Sequence, residues 1–262
     1  VFHAKDNFVI ATGGGVVTGG GMGIRNGCYP QITSFWGFIR SLLEVTIPGL
    51  KRIIITGGTG GLGTAIAREF AGNGWEVVAL GSKNLDLADR RAIQCFFEDA
   101  PCDLLVCCAG MIRDAPLSRM KEEAWDEVMA VNYEAAASCA AAAVPSMRAR
   151  GHGHVVFISS YAALHPAIGQ AAYAAAKAAL HGLARQLAEK YGSAGLRFNV
   201  ILPGFLETPM TDAVSERRKE VIRVTHCLGD FNTVSAVAAF VRFLEEQLPF
   251  TSGQVFSLDS RL

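Results

Sequence analysis

The chain has 262 residues, half of them hydrophobic and 18% charged, and its 24 basic residues are balanced by 24 acidic ones for a formal net charge of zero. That length allows one large α/β domain or two small ones around a sizeable core. The lack of a basic excess argues against nucleic acid or an anionic membrane surface as the main partner.

No apolar run reaches the length of a membrane span. Val1 to Asp6 lack the basic-then-apolar layout of a secretory signal. Seven cysteines, among them Cys95, Cys107, Cys108, Cys139 and Cys227 in apolar contexts, have no metal-ligand spacing. They read as buried reduced thiols of a cytoplasmic protein, and no metal site is expected.

Residues 1–50 form an N-terminal extension with no assigned role. It holds a candidate strand at Phe8–Thr12, a glycine-rich tract from Gly13 to Gly23 and an apolar helix candidate from Ser34 to Val45, ended by Pro48-Gly49. The tract lacks the Lys-Ser or Lys-Thr of a Walker phosphate loop. Its Thr18–Gly23 echoes a later glycine cluster, but no helix start follows, so it is set aside as a decoy.

From Lys51 onward short β-rich runs alternate with helical stretches. Strands are predicted at Arg52–Ile55, Glu76–Leu80, Asn84–Leu87, Asp103–Cys107, Val155–Ser159, Arg197–Leu202 and Gln254–Leu258. Helices are predicted at Thr64–Ala71, Asp89–Glu98, Glu122–Arg148 (interrupted or bent near Pro145), Ala171–Tyr191 and Val234–Gln247. Strands joined by helical crossovers predict a parallel sheet covered on both faces.

Thr56-Gly57-Gly58-Thr59-Gly60-Gly61-Leu62-Gly63 follows a predicted strand and opens a helix, the context that gives such a string meaning. Gly57, Gly61 and Gly63 permit a tight turn and close backbone approach to a pyrophosphate, and the helix N-terminus offers amide donors to its phosphates. A glycine-rich turn with no ligand would share the string. At the end of the second strand stands Gly81-Ser82-Lys83, with no acidic residue before Asp86. A nucleotide site for NAD(H) commonly places an acid there, whereas Ser82 and Lys83 suit a 2′-phosphate, so NADP(H) is favoured over NAD(H). A solvated loop lysine is the competing reading of Lys83.

Tyr173 and Lys177 are spaced to share one helix face. An adjacent ammonium favours the phenolate over the phenol, which would make Tyr173 a proton donor or acceptor. Ser160, thirteen residues upstream at the end of Val155–Ser160, can aim a hydroxyl at the same point. An alanine-rich helix with a surface Tyr/Lys pair has the same spacing.

Taken together, Thr56-Gly57-x-x-x-Gly61-x-Gly63, Asn132, Ser160, Tyr173-x-x-x-Lys177 and Pro203-Gly204 resemble, in order and spacing, the short-chain dehydrogenase/reductase family over residues 51–262. Pro203–Thr208 and Gly253–Asp259 most resemble bacterial 3-oxoacyl-acyl-carrier-protein reductases of fatty acid biosynthesis. The resemblance implies a single Rossmann-type doubly wound sheet with helices on both faces. It implies Tyr173 as general acid/base, Lys177 as the group that lowers its pKa and holds the ribose, Ser160 on the substrate carbonyl, and Asn132 at a helix bend and proton relay. Thr208 would bind the nicotinamide carboxamide beside a wall shaped by Pro203 and Gly204. Asp86, next to Leu87, matches an adenine-contacting aspartate, and Ala109-Gly110 approach the adenosine ribose. A helix-surface amide for Asn132 and capping roles for Thr208 and Asp86 are the alternatives. Gly60 stands where many NADP-preferring relatives carry a basic residue.

The chain departs from that pattern in three places. The segment between the second strand and Cys107 is short, Cys107-Cys108 replaces two asparagines, and the arginines that dock acyl carrier protein would fall near Gly151 and Ala194, with Arg148, Arg150 and Arg197 as neighbours. Glu207 to Leu228 is expected to form a substrate lid, with Met210, Val214, Val221 and Ile222 as its apolar residues. Alanine clusters at 135–137, 140–143 and 174–176 suit a homodimer or homotetramer, or packing against the sheet.

The expected activity is NADP(H)-dependent interconversion of a ketone and a secondary alcohol, with a 3-oxoacyl thioester as substrate and acyl carrier protein as a weaker expectation. Reduction of a small carbonyl, sugar or pterin-like ring is a second reading. A dinucleotide-sensing Rossmann protein is a third, although such proteins often lack the tyrosine or lysine present here.

Overall fold

A computed structural model describes residues 8–12, 15–18 and 50–261. The apolar helix candidate at 34–45, and the glycine tract apart from 15–18, lie outside the described residues. The strands are β1 (Phe8–Thr12), β2 (Gly15–Thr18), β3 (Lys51–Thr56), β4 (Trp75–Leu80), β5 (Leu104–Cys107), β6 (Gly153–Ile158), β7 (Leu196–Leu202) and β8 (Val255–Ser257). The helices are α1 (Gly61–Phe70), α2 (Arg90–Asp99), α3 (Glu122–Met129), α4 (Ala135–Arg150), α5 (Ala171–Tyr191), α6 (Glu216–Arg223) and α7 (Val234–Gln247).

They build one sheet in the order β2-β1-β4-β3-β5-β6-β7-β8. From β4 to β8 every pairing is parallel. Continuous apolar runs such as Ile53-Ile54-Ile55 form these strands because successive side chains point to opposite faces and both faces are covered. Ile54, Leu105, Phe157 and Val200 pack on one side with Phe97 of α2 and Met147 of α4. Ile53, Ile55, Val106 and Ile201 pack on the other with Ile66 and Phe70 of α1 and Val241 of α7. The strand order reverses at β3, between β4 and β5, which is where such sheets open a crevice at their C-terminal ends.

α5 and α7 begin and end where the periodicity predicts, and Asp89 caps α2 through the amides of Arg91 and Ala92. Two expectations fail. Asn84–Leu87 is not a strand: the Asn84 side-chain oxygen accepts the Gly81 amide at 2.8 Å, a local bond that folds this segment into turns. The place beside β4 is taken instead by β1, which pairs antiparallel with it (Phe8 to Leu80, Ala11 to Val77) and carries β2 on its outer edge.

The long helix also does not break at Pro145, which lies within α4. Pro145 is exposed while Val144 and Met147 beside it are buried, so packing holds the helix through the missing amide. The irregularity falls earlier, in a wide π turn at Ala130–Glu134 that contains Asn132.

Candidate active site

β3 delivers the chain into a turn closed by the Gly60 amide donating to the Gly57 carbonyl at 3.0 Å. Gly57 has φ +65°, and a Cβ there would lie 2.7 Å from the Ala109 backbone at the end of β5. A Cβ on Gly63 would stand 2.3 Å from the Gly57 carbonyl oxygen, and one on Gly61 2.8 Å from Thr208. The glycines therefore bring three loops to one point, with Thr208 against the start of α1. That start has no side-chain cap, unlike α2 with its Asp89 cap, and no acid in its first turn. Uncapped amides at the positive end of a helix, on a backbone run of glycines, fit the pyrophosphate of a dinucleotide.

At the end of β4 the Leu80 carbonyl accepts the Gly58 amide at 2.8 Å, and Gly81 lies so close that a Cβ would meet the Thr59 hydroxyl at 2.7 Å. Ser82 and Lys83 are exposed next to this contact. Asp86 is exposed too, with its carboxylate accepting the Ala88 amide at 2.9 Å, and Leu87 packs on the core. On the β5 side, Thr56 Oγ1 accepts the amides of Cys108 (3.2 Å) and Ala109 (3.4 Å).

Asn132 is 1% exposed, so it is not a surface amide. Its Nδ2 donates to the carbonyls of Met111 (2.8 Å) and Val128 (2.9 Å), and its Oδ1 accepts the Met111 amide at 3.3 Å. Gly110 lies between this side chain and α5: a Cβ there would be 2.9 Å from Asn132 Oδ1 and 3.5 Å from Lys177 Nζ.

On α5, Lys177 is buried and donates to the Ile158 carbonyl at 3.0 Å, with Nζ 5.7 Å from the centre of the Tyr173 ring. Tyr173 lies beside Ser160, whose Oγ accepts the Ala162 amide at 3.2 Å. Thus Ser160, Tyr173, Lys177, Asn132 and Gly110 are brought together.

The charge state differs from the expectation. Burial pushes the Tyr173 phenol up, against the lowering effect of the Ser160 hydrogen bond, and the same burial pushes Lys177 down to about 8. Desolvation outweighs the pairing, since Lys177 is buried and Tyr173 is only partly accessible to water.

Burial also raises the thiols of Cys102, Cys107, Cys108 and Cys139, as buried reduced cysteines should behave. Cys95 and Cys227, expected inside, are exposed on α2 and in the 224–230 turn. Ala140, Ala142 and Ala143 are buried within the monomer against the sheet, and Ala135 is buried as well. Met210 and Val221 of the expected lid are exposed.

The sequence reading counted Thr56 in the glycine motif but gave it no role; the structure shows it holding the Cys108 and Ala109 amides. Asp259 was named only as the end of the Gly253–Asp259 resemblance and given no role, and Arg261 was missed: the fold is what brings the pair to the site.

A doubly wound sheet, a glycine cradle at its switch point and a Ser-Tyr-Lys-Asn cluster facing that cradle define a dinucleotide-dependent oxidoreductase. The chain belongs to the short-chain dehydrogenase/reductase family: the family model for short chain dehydrogenase matches residues 82–219. It is similar to the 3-oxoacyl-[acyl-carrier-protein] reductase FabG of Thermotoga maritima, with 33% identity over 239 residues covering 81% of this chain and 97% of that one. The protein of the same name from Escherichia coli is 30% identical over 233 residues, covering 80% and 96%. Among solved structures, a putative NAD(P)-dependent gluconate 5-dehydrogenase from Beutenbergia cavernae with bound NADP at low occupancy superposes with a TM-score of 0.77 at 28% identity. It covers 80% of this chain and 95% of that one. The enzyme is thus an oxidoreductase of this family, whose members use a nicotinamide dinucleotide. Among the described residues no helix is long and apolar enough to cross a membrane.

Proposed function

We propose that the enzyme reduces a 3-oxoacyl thioester to its 3-hydroxyacyl form with NADPH, and that Ser160, Tyr173, Lys177 and Asn132 carry the reaction. The observation that carries this reading is that Asn132 and Lys177 meet at Gly110, with Lys177 Nζ 5.7 Å from the centre of the Tyr173 ring and Ser160 beside Tyr173. The bound dinucleotide supplies the hydride. Ser160 fixes the carbonyl oxygen beside the Tyr173 hydroxyl, which gives its proton to the developing alkoxide. Lys177, cationic below about pH 8, favours the phenolate this leaves behind. Asn132 holds the Met111 loop in place and keeps the helix open where the proton is replaced.

Gly57, Thr59, Gly61, Leu62 and Gly63 would hold the pyrophosphate, Ala109, Gly110 and Lys177 the riboses, and Pro203, Gly204 and Thr208 the nicotinamide. Asp86 and Leu87 would border the adenine. NADP(H) over NAD(H) is supported by exposed Ser82 and Lys83 beside Thr59, where no carboxylate precedes Asp86. The names of the curated relatives support the thioester.

Acyl carrier protein is less well supported. Gly151 and Ala194 offer no charge, Arg150 is engaged with Ser146 and Cys102, and Arg197 with Leu244, Leu248 and Glu245. A coenzyme A thioester is therefore the substrate to test first.

Turnover of acetoacetyl-CoA with NADPH and with NADH checks the reading. NADPH should be preferred, and Tyr173→Phe should lower kcat by about 10²-fold or more. Undiminished activity in Tyr173→Phe removes the mechanism, and an NADH preference removes the cofactor assignment. Tight NADPH binding without turnover on thioesters or simple ketones favours a dinucleotide sensor.

A further inference from the structure

The last described residues of the chain fold back onto the reaction centre. Asp259 follows β8 and its side chain is almost wholly buried. Its carboxylate accepts the Arg261 amide at 2.9 Å and Arg261 Nε at 2.8 Å, with Arg261 Nη2 on the same oxygen as Nε. Burial alone would raise this carboxyl, but the Arg261 bonds, with His226 nearby, hold it below the usual range.

Each further contact of the pair is to a loop that frames the site. The Arg261 guanidinium lies 3.5 Å over the ring of Tyr161, the residue after Ser160, and Tyr161 stacks on His165. Gly204, at φ +82°, approaches so closely that a Cβ there would lie 3.0 Å from Asp259 Oδ2. His226, at the far end of the expected lid, is buried with Nε2 3.2 Å from Asp259 Oδ1 and Nδ1 2.9 Å from the Ile222 carbonyl of α6. The Cys227 amide donates to the Ser260 carbonyl at 3.0 Å, which stitches the base of that segment to the C-terminal strand.

We infer that Asp259 and Arg261 act as one positioning unit that couples the Ser160–His165 loop, the Pro203–Gly204 wall and the base of the 207–228 segment, and thereby sets how the substrate is held. A buried ion pair contributes less to net stability than to fixing one arrangement, because desolvation offsets much of its attraction. Here the arrangement it fixes is three loops around one carbonyl site. This rests on the site proposed above but goes beyond it, since neither residue touches the reacting atoms.

The test uses Arg261→Met, Asp259→Asn, the double variant and Arg261→Lys in the full chain. In folded Arg261→Met the KM for acetoacetyl-CoA should rise about tenfold while kcat changes about threefold at most, the split expected when only substrate positioning is lost. The double variant should be no worse than the poorer single one, because partners in one network are not additive. Arg261→Lys should recover part of the KM. Unchanged KM in the folded variants, or losses that simply add, overturns the inference.

A second readout does not need turnover. Exposed Arg217 and Arg218 in α6 give trypsin a cut within the lid segment. That cut should be about tenfold faster in Arg261→Met at unchanged global stability, because a local opening free energy has dropped. Equal cutting rates overturn the coupling. If the wild-type protein turns over no thioester, the proposed substrate fails while the proteolysis result still decides the clasp.

Discussion

Lys177 shows how a buried charge ties chemistry to stability. Its folded-state value of about 8 lies below the usual 10.5, so between these values the unfolded chain binds more protons than the folded one. The sign follows: below about pH 8 the penalty for the buried ammonium is full and constant, and stability rises as the pH climbs from there to 10.5. Lys177→Met should be more stable than wild type near neutrality, by up to about 3 kcal/mol, with the difference shrinking toward pH 10.5. Thermal unfolding of both proteins across that range, without dinucleotide, measures it. A constant difference would contradict the burial argument.

Gly63 offers a steric test at the same scale. A Cβ 2.3 Å from the Gly57 carbonyl cannot be accommodated without opening the turn, whereas one on Gly60 meets only that oxygen at 3.3 Å. Gly63→Ala should therefore destabilise the fold by about 1–3 kcal/mol and weaken NADPH binding at least tenfold, with Gly60→Ala close to wild type in both. Titration of NADPH fluorescence against each variant checks this. The positions of Ser160, Tyr173 and Lys177 were legible in the sequence because helix spacing is local information. Their protonation was not, because burial is decided by β6, β5 and α3 together.

Among the elements, the helix from Glu122 to Arg150 repays attention because its irregularity serves the site. Asn132 sits in the π turn and satisfies both the amide and the carbonyl of Met111. Asn132→Ala leaves that loop with buried groups unpaired, a loss of about 1–3 kcal/mol. Activity should fall further than this instability explains, and comparing kcat with the folded fraction from circular dichroism separates the two.

Read from residue types alone the bend fell at Pro145, since proline is the visible helix breaker, and only the family resemblance put one at Asn132. A π turn has no such mark, because it is selected by side-chain bonds to another loop. The same blindness applies to Asn84–Leu87, where an apolar alternation suggested a strand and one asparagine–backbone bond made a turn. Where an element is sustained by its own periodicity, as in α5 and α7, the sequence located both ends.

For the molecule as a whole, the sheet reading was right about parallel strands and silent about the edge. β4 is buried along its full length, and its outer edge is paired with β1 rather than with a strand from the following segment. An unpaired apolar edge is a template for association between chains. Removal of residues 1–49 should therefore produce a protein that self-associates, detected as concentration-dependent light scattering at low micromolar protein. A monodisperse truncated chain would show that the β1 pairing is dispensable. Nothing in Phe8–Thr12 marks its partner, since a short β-rich run carries no record of which strand it will join.

That pairing also orders events in time. β1 leaves the ribosome long before β4 exists, and Phe8 must wait for Leu80 before it has a neighbour on that side. A chain that emerges from its N-terminus first would thus assemble its sheet from the middle outward, with β1, the first of the described strands, among the last to settle. Until β4 is made, β1 can pair with β2 but not with the strand it flanks in the finished sheet.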